Sequence, residues 1–258
     1  MRTMNEDPGI SGRPPNSLAA LWDIGRWKWV GAAIVLVLAL AFVWQSWLAR
    51  PYVSYLTADT FREIALSDGS SVTLAPHSKL IVSSDEETFA ITGAAWFDIR
   101  HREGRELAIS AGSIQVRDIG TKFDIQVEPG SIRVGVAQGR VEISSVALAE
   151  PLRLEAGRHL LFDVEAKSVT LSGTPVEAVG AWRSGRLTYD SEPLSLVAAD
   201  LSRYAGVKIR LPDSLKDRRF SGTLASADGE AALREVALRM GLELVPEGDT
   251  YRLESGPA

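Results

Sequence analysis

The chain has 258 residues, of which 45% are apolar and 24% charged, and its net charge is −5 at neutral pH. That balance excludes a nucleic-acid binder, which needs a concentrated basic surface. Cysteine is absent, so disulfides, thiolate metal sites and cysteine nucleophiles are excluded too.

Residues 1–29 read as a short cytoplasmic head, in which Pro8, Gly9, Gly12, Pro14 and Pro15 discourage structure. Behind them Leu18, Leu21 and Trp22 make a short amphipathic patch, suited to a membrane-surface lead-in or a cytoplasmic contact. Val30 to Leu48 then runs 19 residues without a formal charge. At the helical rise this spans about 28 Å, close to the hydrocarbon thickness of a bilayer. Trp27, Trp29, Trp44 and Trp47 bracket the run, Arg26 and Lys28 precede it and Arg50 follows. One N-terminal transmembrane helix over 30–48 is therefore expected, with the head in the cytoplasm and the tail outside it. A cleaved signal peptide ending near Ala39-Leu40-Ala41 competes with this reading, but the apolar run continues past that point.

After a linker over 49–60, residues 61–171 alternate with period two and turn every eight to twelve residues, the grammar of an all-β domain, either a sandwich or coiled short strands. Ile64 and Leu66 alternate before Ser67-Asp68-Gly69-Ser70, and Val72 and Leu74 after it. Further pairs and triplets follow through Phe97 and Ile99, Phe123 and Ile125, Val134 and Val136, to Phe162 and Val164. A second linker is expected over 172–180. From 181 to 255 the period changes. Leu194, Val197, Leu201 and Tyr204 share a helical face between Pro193 and Gly206, and Val207, Ile209 and Leu211 read as a strand. Asp228 is placed to cap a second helix carrying Leu233, Val236 and Met240, which Gly241 stops ahead of Leu242 and Leu244. The expectation is a small α+β domain of two strand-helix-strand units.

Chemistry-bearing motifs are sparse. His77, His101 and His159 lie in separate β segments without a ligand or nucleophile spacing, and read as surface or edge histidines. No phosphate loop, dinucleotide glycine pattern or nucleophile elbow is present, so neither cofactor nor metal is expected and a conventional enzyme is not. One dipeptide stands apart: Gly120-Thr121. A threonine hydroxyl can attack the preceding carbonyl when a strained turn aligns them, and glycine tolerates such turns. A tight bend or bulge between Val116 and Phe123 explains the same residues.

The runs Phe61-Arg-Glu-Ile-Ala-Leu-Ser-Asp-Gly-Ser-Ser-Val-Thr-Leu74, Gly93-Ala-Ala-Trp-Phe-Asp-Ile99, Ile119-Gly-Thr-Lys-Phe-Asp-Ile125 and Val136-Ala-Gln-Gly-Arg-Val-Glu-Ile143 resemble the periplasmic domain of the FecR family. These are inner-membrane regulators of extracytoplasmic-function sigma factors in iron uptake. The segment from Trp182 through Phe220-Ser-Gly-Thr-Leu224 to Tyr251-Arg-Leu253 resembles the short domain at the N-termini of secretins and TonB-dependent receptors. The resemblance implies a relay: a siderophore-loaded outer-membrane TonB-dependent receptor engages the periplasmic tail, and the head alters a sigma factor. It also implies self-cleavage at Gly120-Thr121, as in some family members.

Partner-binding strand edges are expected at Leu187, Thr188, Tyr189 and Asp190 and at Thr250, Tyr251, Arg252 and Leu253. The head departs from the family, which carries a longer helical sigma-binding region. Either the head makes a reduced contact, a separate protein supplies it, or translation starts upstream. The alternative function is a periplasmic structural adaptor of a cell-envelope complex.

Overall fold

The computed structural model describes residues 52–256 apart from 103 and 119. The head with Leu18, Leu21 and Trp22, and the Val30–Leu48 run, lie outside the described residues. Among those described, no helix is long and apolar enough to cross a membrane. The described residues belong to one compact unit.

The β lobe contains β1 (Tyr52–Leu56), β2 (Arg62–Ala65), β3 (Ser71–Leu74), β4 (Lys79–Ser83), β5 (Thr88–Asp98), β6 (Leu107–Ala111) and β7 (Ile114–Asp118). It continues with β8 (Lys122–Glu128), β9 (Ser131–Gln138), β10 (Arg140–Ser145), β11 (Leu152–Glu155), β12 (Arg158–Asp163) and β13 (Ser168–Gly173). All thirteen strands belong to one continuous sheet. Its joint is β5. The first half of that strand pairs with β4 and, in parallel, with β6, whereas the second half pairs with β3 and β8. Between the halves Gly93 sits at φ +85°, and a Cβ there would meet Ser78 Oγ at 2.4 Å. The sheet therefore changes direction at a residue that only glycine can occupy.

Period-two alternation fills a single core inside this bent sheet. Phe97 stacks on Phe123 at 5.0 Å and takes Phe89 edge-on at 6.3 Å, and Leu74, Leu80, Ile109, Ile143 and Phe162 pack in the same cluster. The expectation of a linker over 49–60 is corrected by β1, which pairs along its whole length with β4. Its exposed Tyr52, Val53 and Leu56 hid the strand, because only Tyr55 packs against the core.

The second lobe opens with a 3-10 turn (Ala181–Ser184) and β14 (Arg186–Pro193), followed by α1 (Leu194–Ala205), β15 (Lys208–Arg210), α2 (Asp213–Lys216), β16 (Arg219–Ala225), α3 (Gly229–Met240), β17 (Leu242–Glu247) and β18 (Thr250–Ser255). The units β14-α1-β15 and β16-α3-β17 are the two strand-helix-strand repeats. Their strands do not form one sheet: β14 pairs with β16, and β18 lies between β15 and β17. Local signals act as read. The Asp228 carboxylate accepts from the Ala231 N–H at 2.9 Å, and Gly206 and Gly241 close their helices in the left-handed conformation.

The stretch joining the lobes is largely exposed up to Glu177, and its end, Val179 and Gly180, is buried. The core beneath α1 and α3 includes Ala75, Ala94 and Trp96 of the β lobe together with Val179, inside the stretch read as 172–180. Gly180 is at φ +68°, and a Cβ on it would stand 2.4 Å from the Trp96 ring.

Candidate functional site

Three places bear on function: the Gly120-Thr121 turn, the strand edges of the second lobe, and the junction between lobes. The turn lies between β7 and β8. Asp118 ends β7, is buried, and its Oδ1 accepts from the Gly120 N–H at 3.1 Å and from the Thr121 hydroxyl. Gly120 has φ +138°, and a Cβ on it would meet His101 Cα at 2.5 Å. Only glycine fits. The Thr121 carbonyl accepts from the Ile99 N–H at 2.9 Å, so the nucleophile candidate is held from both sides. Register slips between Lys122 and Phe123 where β8 meets β9, so the bulge expected between Val116 and Phe123 is present beside the strained glycine.

The two segments expected as edges differ in how their strands pair. β14 pairs only with β16 among the described strands, with Leu187 and Tyr189 buried and Thr188 and Asp190 exposed. β18 is corrected: Thr250, Tyr251 and Arg252 pair with β15 on one side and β17 on the other, and Leu253 is fully buried. The expectation failed because the last strand of the chain returns to the middle of its sheet, an order that local pattern does not encode. The outer strands there are β15 and β17.

Sequence reasoning missed the junction. Arg133 on β9 forms a bidentate pair with Asp200 on α1 and also donates to Gln126 at 2.7 Å. Asp124 accepts from Trp182 Nε1 at 3.2 Å, from Gln126 at 3.1 Å and from the Gly135 N–H at 3.1 Å. Trp182 in turn stacks between Phe61 and Tyr204. Arg203 grips Glu128 of the β lobe at 2.6 Å, and Arg183 lies 3.8 Å over the Trp96 ring. Asp124, Gln126, Arg133, Trp182, Asp200 and Tyr204 line a small polar cavity of about 80 Å³, as do His159 and Glu192.

Burial, aided by the Arg133 cation, pulls the His159 ring down to about 4, so it is neutral at pH 7 and its 3.7 Å contact with Glu192 is no ion pair there. Burial pushes the Asp124 and Glu192 carboxyls up. His159 is thus a junction residue rather than a surface one, while His77 is exposed beside Asp59 at 3.3 Å. Buried charges on alternating strand positions were the available signal, since Asp124, Gln126 and Arg133 face away from the β core. Among the described residues no cluster of histidines and carboxylates could hold a metal ion.

Residues 54–142, from β1 to the start of β10, match the family model described as FecR protein. Over those residues the chain is FecR-like. Two crystal structures of a candidate anti-sigma factor from Parabacteroides distasonis share the fold, with TM-scores of 0.73 and 0.72. Each is 20% identical in sequence and is covered completely by 80% of this chain. The FecR match ends within β10, and the structural likeness extends well beyond it. No curated protein matches the sequence.

Proposed function

We propose that this FecR-like chain is an inner-membrane regulator that relays the state of an outer-membrane TonB-dependent receptor to an extracytoplasmic-function sigma factor. The observation that carries the reading is the joining of a FecR-type β lobe to an α+β lobe with an open strand edge. That edge, Leu187 to Asp190 on β14, takes a strand of the receptor's signalling domain by backbone pairing, which needs no deep pocket. The buried ties at Arg133, Trp182 and Arg203 make the two lobes one body, so force or binding at the second lobe reaches the first. The anti-sigma description of the Parabacteroides distasonis protein supports the output side of the relay. Val30 to Leu48 supplies the membrane anchor and the head supplies the cytoplasmic contact, through Leu18, Leu21 and Trp22.

The same reading includes one self-inflicted cut, between Gly120 and Thr121. Its support is the glycine-only turn with the Thr121 hydroxyl held by a buried carboxylate.

The deciding experiment is purification of the full-length protein, tagged at its C-terminus, from iron-starved membranes of its host, with mass spectrometry of what accompanies it. A TonB-dependent receptor together with a sigma factor is the expected result. An envelope assembly complex with neither would replace the relay by a structural adaptor.

A further inference from the structure

We infer that Asp118 is the general base of the Gly120-Thr121 cut, an assignment that rests on the self-cleavage reading above. Three observations place it there. Its Oδ1 is the acceptor of the Thr121 hydroxyl proton, the one proton that must leave before Oγ1 can attack. The same oxygen holds the Gly120 N–H at 3.1 Å, which fixes the turn around the carboxylate. Asp118 also lines an open cleft of about 240 Å³, together with Arg117, Arg140 and Arg153.

In the first step the Thr121 Oγ1–H proton passes to Asp118, and Oγ1 bonds to the Gly120 carbonyl carbon. Collapse of that tetrahedral centre breaks the Gly120 C–N bond, and the Asp118 proton goes to the departing Thr121 nitrogen. The products of this shift are an ester between Gly120 and the Thr121 side chain and a free Thr121 amine. Water then hydrolyses the ester, releasing a Gly120 carboxylate and restoring the Thr121 hydroxyl. The strained glycine contributes because opening the peptide relieves a backbone conformation that the packed turn imposes.

The test is a pulse-chase of the full-length chain carrying Asp118→Asn, Thr121→Ala or neither, following the split into fragments 1–120 and 121–258 by intact mass. Asparagine keeps an acceptor oxygen for both hydrogen bonds but is a far weaker base. Cleavage of the wild type, none in Thr121→Ala, and slowing of about 100-fold or more in Asp118→Asn is the expected result. Folding of the Asn variant is checked by far-ultraviolet circular dichroism, and its cleavage should lose the rise with pH that an ionising carboxylate gives the wild type. Wild-type cleavage that Asp118→Asn leaves at full rate overturns the role of Asp118 while the cut itself stands. A wild type that stays whole overturns both.

Discussion

Arg133 and Asp200 show how much single residues carry at the lobe junction. Both side chains are buried, about 95% removed from solvent, and each is the other's charge partner. Asp200→Ala leaves a buried guanidinium without its carboxylate and should cost about 3–5 kcal/mol, read as a lower urea midpoint at unchanged slope. Replacing both partners by apolar residues of similar size should cost much less, because no unpaired charge then remains. His159 gives a pH prediction. Its folded value, about 4, lies below its ordinary 6.5, so between those limits the unfolded chain binds more protons and acid favours unfolding. Relative to His159→Gln, the wild type should lose stability as pH falls from 7 to 4, by at most about 3 kcal/mol. The raised carboxyls of Asp124 and Glu192 act oppositely, losing stability as pH rises through their folded values. The comparison with the Gln variant therefore isolates the histidine, and a difference that does not change with pH would remove it as the acid-labile group.

Individual elements were legible where their signals are local. The α3 cap is one such signal, and Asp228→Ala should cost about 1 kcal/mol, read as a lower Tm of the whole transition. The Ala231 N–H would be left to water. β14 and α1 were likewise readable from Pro193, the spacing of Leu194, Val197 and Leu201, and the stop at Gly206. β1 was not, since four of its five residues are exposed and its pairing with β4 joins residues about 27 apart in sequence. β18 was read as a strand but misplaced as an edge, because it pairs with β15, about 40 residues earlier, as well as with its neighbour β17. Gly120-Thr121 was legible as a dipeptide. Its carboxylate partner was passed over, since Asp118 alternates with buried Val116 in a pattern that equally suits an ordinary strand end.

For the whole molecule, the shared core decides behaviour. Trp182 packs against Phe61 and Tyr204 and donates to Asp124, so Trp182→Ala should lower stability by about 3–5 kcal/mol. Trp96 of the β lobe and the helices of the second lobe share one cluster, so intrinsic fluorescence and far-ultraviolet circular dichroism should report a single coincident unfolding transition. Two separated transitions would show that the lobes unfold independently and that the junction does not couple them. What the sequence alone determined is the class of each part: period-two strands, two helices with caps, and the glycine-threonine dipeptide, all of which depend on neighbours within a few residues. Only the tertiary structure decided that one sheet bends at Gly93, that β18 is internal, that β1 belongs to the β lobe, and that Arg133 meets Asp200. Those outcomes depend on contacts between residues far apart in the chain, where burial and pairing are settled by the packing of the whole fold rather than by any local pattern.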